Sequence, residues 1–213
     1  MKHLAILFIA ISLTTVSGCQ KTPDQVWVSA PELDISFKLT DESGTIVSSD
    51  KYSGSLRLVF FGFASCPDIC PITLQNIGIA LKSLGSLAEQ ITVLFISVDP
   101  KRDTPDVLEQ YTDAFHASII GLTGTYDQLS AVTAGFRTTF GYSVVSDDGQ
   151  ERPLSRDEYE ALPESATYFP YHSSQVYLIG ANDELLDIIG YGSKPSLIEE
   201  KLRAYIDKAA TRT

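Results

Sequence analysis

The chain has 213 residues, 44% hydrophobic and 20% charged, enough apolar material for a core and too much for a disordered or collagen-like chain. Sixteen Lys and Arg against twenty-seven Asp and Glu give a formal charge of −11, which repels phosphate backbones and argues against nucleic-acid binding. Three cysteines are too few for a disulfide scaffold and odd in number, so one serves a different purpose from the other two.

Lys2 and His3 precede the apolar run from Leu4 to Val16, which is followed by Ser17-Gly18-Cys19, the three-part layout of an export signal. The run is shorter than the ~20 residues a membrane-spanning helix needs. Val16-Ser17-Gly18-Cys19 resembles the bacterial lipobox, which is cut before its cysteine. Residues 1–18 are therefore expected to be a lipoprotein signal peptide, with Cys19 acylated and holding the protein on a lipid membrane; an uncleaved short anchor is the alternative. Either way the folded part lies outside the cytoplasm, facing the periplasm of a bacterial cell envelope. Residues 19–31 are polar, contain two prolines and read as a flexible tether. Residues 32–210 read as one domain.

Ile35-Ser36-Phe37-Lys38-Leu39 alternates apolar with polar, and Asp41-Glu42-Ser43-Gly44 before Thr45-Ile46-Val47 supplies turn chemistry, predicting an exposed N-terminal β-hairpin. Leu58 to Phe63 is an unbroken apolar and aromatic run but for Gly62, as expected of a strand buried on both faces.

That strand runs into Ala64-Ser65-Cys66-Pro67-Asp68-Ile69-Cys70-Pro71. On a regular helix the two Cβ atoms would lie about 5–6 Å apart, wider than the roughly 3.5–4.5 Å of a disulfide. Pro71 lacks an amide proton, so the helix is expected to start there, leaving Cys66 to Cys70 as a bent loop whose sulfurs can approach each other. Amides at a helix N-terminus favour thiolate, the form that attacks disulfides and binds soft metals. A five-residue ring contributes little as a staple, so redox or metal work suits the pair better than stabilisation.

Leu74, Ile77, Leu81 and Leu84 then form a helical stripe, followed by a second buried strand, Ile91 to Val98. Thr104-Pro105 opens a helix carrying Leu108, Tyr111 and Phe115. After the short apolar Ile119-Ile120, a capping box of Thr125 and Gln128 opens a helix with Leu129, Val132 and Phe136 inward. Ser146 to Pro170 reads as a long acidic insertion loop, a solvated excursion or a docking element. Val176 to Ile179 and Leu185 to Ile189 form a hairpin about Gly180-Ala181-Asn182-Asp183, and a box of Ser196 and Glu199 opens a last helix with Ile198, Leu202 and Tyr205 inward. Strand–helix alternation closed by a hairpin predicts an α/β, thioredoxin-like domain, a mixed central sheet flanked by helices.

A cysteine pair at a helix start suits soft cuprous ion, which also accepts imidazole. His116 lies near the end of a predicted helix, where it can serve the terminal carbonyls. His172, beyond the acidic segment and just before a strand, can return to the strand ends that bear the cysteines.

Three separated motifs, Cys66-Pro67-Asp68-Ile69-Cys70-Pro71, Val98-Asp99-Pro100-Lys101-Arg102-Asp103-Thr104-Pro105, and His172-Ser173 before Tyr177-Leu178-Ile179, resemble the SCO/SenC family of copper-handling proteins of cytochrome c oxidase assembly. The resemblance spans about Asp34 to Tyr205. It implies a thioredoxin-like fold and copper, as Cu(I) with Cu(II) also accepted, held by Cys66, Cys70 and His172. It further implies service to the CuA centre of oxidase subunit II as a metallochaperone, and Asp99 and Asp68 near the site as supporting groups. A copper donor protein and a thiol reductant for a Cys66/Cys70 redox pair follow as partners. Two departures stand out: Tyr171 replaces an Asp common before the histidine, and a lipid anchor at Cys19 replaces a transmembrane segment. The competing reading is a thiol–disulfide oxidoreductase in which Cys66 attacks and Cys70 resolves, without metal or His172.

Overall fold

The computed structural model describes residues 32–211; the expected signal peptide, the acylated Cys19 and the tether lie outside the described residues. Among the described residues no helix is long and apolar enough to cross a membrane.

Strands β1 (Lys38–Asp41) and β2 (Ile46–Ser48) form a hairpin, and β3 (Leu56–Gly62) leads into α1 (Ile69–Leu84). Then come β4 (Ile91–Ser97), α2 (Pro105–Asp113), β5 (Ile119–Thr123) and α3 (Tyr126–Gly135). A smaller unit follows, made of β6 (Phe140–Val145), β7 (Glu151–Pro153), α4 (Arg156–Ala161) and β8 (Phe169–His172). Finally β9 (Val176–Ile179), β10 (Leu185–Ile189) and α5 (Pro195–Ala210) close the chain.

The main sheet has the order β10-β9-β3-β4-β5-β1-β2. It is mixed: β3, β4 and β5 run parallel, and the other pairings are antiparallel. Because side chains alternate along a strand, the apolar run of β3 feeds two cores. Leu58 and Phe60 pack with Leu74, Ile77 and Leu81 of α1 and with Ile198 and Leu202 of α5. Val59 and Phe61 pack on the other side with Leu129, Val132 and Phe136. Each such side chain contributes about 1.5–3 kcal/mol on burial, and the two cores pin the strand that delivers the cysteines. The result is the thioredoxin-like arrangement expected.

Several local expectations need correction. The hairpin begins at Lys38, three residues later than the alternation suggests, and it is no separate addition: Thr40 and Asp41 of β1 pair with Thr123 and Leu122 of β5. The Glu42 carboxylate locks this edge by accepting the Gly121 N–H at 2.8 Å. α1 starts at Ile69, ahead of Pro71. Its first intrahelical bond runs from the Ile72 N–H to the Asp68 carbonyl, so Pro71 occupies a position whose N–H has no helical partner and costs nothing there. α2 ends at Asp113, short of Phe115 and His116. The Thr104 and Thr125 caps form as expected. The Ser196/Glu199 box does not: Lys194 is the N-cap of α5 and Pro195 opens it without a side-chain cap.

The acidic segment 146–170 is structured. β6, β7 and β8 make a second sheet in the order β7-β6-β8, and α4 carries its own capping box of Ser155 and Glu158. This unit has a tyrosine core, with Tyr142 and Tyr159 stacked at 3.6 Å and Tyr168 edge-on to both. It is bolted to the end of β4, where the Tyr142 hydroxyl donates to the Val98 carbonyl at 2.5 Å.

Candidate metal centre

β3 and β4 run side by side with Gly62 opposite Ser97, and the chain leaves β3 through a turn closed by the Cys66 N–H on the Phe63 carbonyl. Cys66 is half-buried in this bend; Cys70 is fully buried in the first turn of α1. Both are free thiols. Gly62 makes their placement workable, since a Cβ there would lie 2.6 Å from the Cys70 Sγ and 2.6 Å from a Phe95 ring carbon.

His172 arrives from the second sheet. It ends β8, paired with Phe140 of β6, and its ring stands edge-on to Phe60 and Phe63 at 5.9 and 5.7 Å. Nδ1 lies 2.9 Å from the Ser173 carbonyl. A carbonyl oxygen only accepts, so Nδ1 carries the proton and Nε2 offers its lone pair toward the Cys70 Sγ, 3.4 Å away. The ligand atoms of Cys66, Cys70 and His172 all lie within 4.8 Å of one another.

The electrostatics split the two thiols. The Cys70 thiol, the His172 ring and the N–H groups of Asp68 and Cys70 hold the Cys66 thiol far below its ordinary value, against the effect of burial. Cys70 is pushed the other way because it keeps its proton to donate to Cys66 and is buried, with the Asp103 charge adding to the effect. The pair thus presents one accessible thiolate backed by one buried thiol.

Of the two expected supporting carboxylates, Asp68 is exposed, and its contribution is its backbone amide to Cys66. Asp99 is fully buried and accepts from the Tyr168 hydroxyl and from Arg102 Nε, each at 2.5 Å, so it ties the second sheet to the end of β4. The carboxylate bonded to the cysteine loop itself is Asp103, which sequence reasoning passed over. Its Oδ2 accepts the Ala64 N–H at 2.9 Å and the Ser97 hydroxyl at 2.5 Å. Burial raises this carboxyl to about 6, although both hydrogen bonds favour its charged form. The second Asp of the Asp99-Pro100-Lys101-Arg102-Asp103-Thr104 stretch was the available signal.

Two sulfurs and an imidazole suit one soft metal ion. Bonds of about 2.0–2.3 Å from one ion to three donors place those donors about 4 Å apart, close to the spacing present. The Nδ1–carbonyl bond is the orienting contact that metal-ligating histidines ordinarily have. The same two sulfurs, without the imidazole, are chemically able to cycle between dithiol and disulfide.

The SCO1/SenC family model matches residues 28–207 of this chain. The chain is 34% identical to an SCO2-like protein of Rickettsia felis over 197 residues, covering 92% of this chain and 88% of that protein. It is similar to the crystal structure of yeast Sco1 with copper bound, at a TM-score of 0.69 and 30% identity over 83% of this chain and 90% of that one. The structure of Bradyrhizobium japonicum ScoI with copper bound gives a TM-score of 0.65 and 28% identity, covering 80% and 97% respectively. With the sequence match running from ahead of β1 through most of α5 and the fold shared, the chain belongs to the SCO1/SenC family.

Proposed function

We propose that this protein is a copper chaperone that carries the ion on Cys66, Cys70 and His172 and passes it to the CuA centre of cytochrome c oxidase subunit II. The observation that carries the reading is the convergence of three soft donors, within 4.8 Å, from a strand–helix junction and a separate small sheet. Copper-bound relatives of the same fold support the choice of metal. In this reading the protein is held by lipid at Cys19 on the periplasmic side of a bacterial membrane, loaded by a copper donor protein.

Cu(I) is the cargo that two thiolates and a neutral imidazole favour; Cu(II) is accepted by the same donors. Three ligands leave the ion open to a fourth, so a recipient thiolate can add and displace the donors in turn. Oxidation gates the site: two thiols become one disulfide with loss of two protons and two electrons, which removes both sulfur ligands, and a thiol reductant must return the electrons before loading.

Thiol–disulfide exchange is the second reading. It is favoured by the asymmetry of the pair, an accessible low-pKa Cys66 backed by the buried Cys70. Competitive cuprous titration of the reduced full chain, with insulin-reduction turnover assayed on the same samples, separates the two. His172→Ala should lower cuprous affinity by more than the about 10–100-fold cost of losing a group that merely supports a metal ligand. Unchanged affinity in that variant, together with turnover that needs only the cysteines, would leave the oxidoreductase standing.

A further inference from the structure

β8 points His172 toward the cysteines, so the alternation of the strand turns Tyr171 and Phe169 to the opposite face of the small sheet. There they are 49% and 47% exposed, unusually open for aromatic side chains. Register joins them to further residues of that face: Tyr171 pairs with Gly141, Phe169 with Ser143, Ser143 with Pro153, and Val145, 54% exposed, with Glu151. The Tyr171 ring occupies the space a side chain at Gly141 would need, so a missing Cβ fixes the aromatic in place.

Charge narrows what can cover this face. Residues 146–171 contain seven acidic and two basic residues. Both arginines are already engaged, Arg152 with Glu158 and Arg156 with Asp127 and Glu160. The apolar patch therefore sits beside an excess of negative charge at Asp147, Asp148 and Glu151. A second copy would bring the same charges against these, and an anionic lipid surface would be repelled likewise. What fits is a protein with an apolar projection ringed by Lys or Arg. Position indicates which protein, because a partner seated on β8 has its own ligands beside the strand that ends in His172.

We infer that the Tyr171–Phe169–Val145 face is the docking surface for the copper-exchanging partner, which presents an apolar projection ringed by basic side chains. The inference rests on the proposed copper-delivery function and adds where the recipient lands.

The test uses the full chain, wild type beside the Val145→Ser/Phe169→Ser variant, with the soluble copper-site domain of oxidase subunit II as the probe. Association is measured by titration calorimetry at low and high salt, and copper transfer by the absorbance of the recipient centre. Both replaced side chains are exposed and neither is a ligand, so cuprous affinity should stay at the wild-type value, which also certifies the fold. Association should weaken by about tenfold or more, as for loss of central apolar contacts, and wild-type association should fall with salt. Asp147→Lys should weaken it further. Transfer and association that match wild type in the serine variant would overturn the docking surface while leaving copper delivery intact. Absence of any wild-type transfer or association would remove the delivery reading and this surface with it. Binding of the chain to phosphatidylglycerol vesicles through the same residues would also overturn it.

Discussion

Replacing Gly62 by alanine adds one methyl group at the point where β3 hands over to the cysteine loop. That methyl would lie 2.6 Å from the Cys70 Sγ and 2.6 Å from the edge of the Phe95 ring. Neither neighbour can give way easily: Phe95 is fully buried and packs against Phe60 and Tyr111, and Cys70 is fixed in the first turn of α1. Overpacking of this kind costs about 1–3 kcal/mol. In a chain of this size each kcal/mol lowers the melting temperature by about 2–4 °C. The displaced sulfur should also leave its station opposite the His172 Nε2, so cuprous affinity should fall even where most of the protein remains folded. Calorimetric melting and competitive cuprous titration on the same Gly62→Ala sample check both parts. A variant that melts with wild type and holds copper equally well would refute the claim that the missing side chain shapes the site.

Asp103→Asn tests the carboxyl beneath the cysteine loop. Its folded value of about 6 lies above the ordinary carboxylate value, so the stability gained by keeping its proton is complete below about pH 4 and is lost as pH rises through about 6. Urea unfolding should show wild-type stability falling relative to the asparagine variant by on the order of 2–3 kcal/mol across that window; parallel curves would contradict it. Tyr159→Ala removes the ring stacked on Tyr142 and should cost about 3–5 kcal/mol within the small sheet. Weaker copper retention should accompany the loss, since β8 carries His172 on that sheet. A melting temperature within about 2 °C of wild type would show that the stack contributes little.

The sequence made the main sheet legible because its central strands are long apolar runs and its helices carry clear stripes; β9 and β10 lie where the pattern put them. The small sheet was hidden. Its strands are three to six residues long, too short to display a period, and Tyr142, Tyr159 and Tyr168 are scattered among acidic residues that read as solvated loop. The place of the β1–β2 hairpin was equally invisible, because its pairing with β5 is set by packing far along the chain. At the site, the thiols and His172 were identifiable from residue chemistry and motif spacing. Asp103 was not, since its reach to Ala64 and Ser97 depends on a turn formed only in the folded protein. The start of α1 was misread for a local reason: Pro71 was taken as the first helical residue, whereas the first helical turn tolerates a proline beyond that position.

The stacked tyrosines give the imidazole a foundation separate from that of the sulfurs. The thiols sit on the large double-sided core, whereas His172 is cantilevered from a small aromatic platform fastened at Val98 and Asp99. A small core opens at lower free energy than a large one, so thermal loosening should withdraw the nitrogen donor first and leave the ion on two sulfurs, a half-undone grip from which departure is easier. Amide exchange in β6 and β8 outpacing that in β3 and β4 would register this staged release, and uniform protection across both sheets would argue that the molecule lets go all at once.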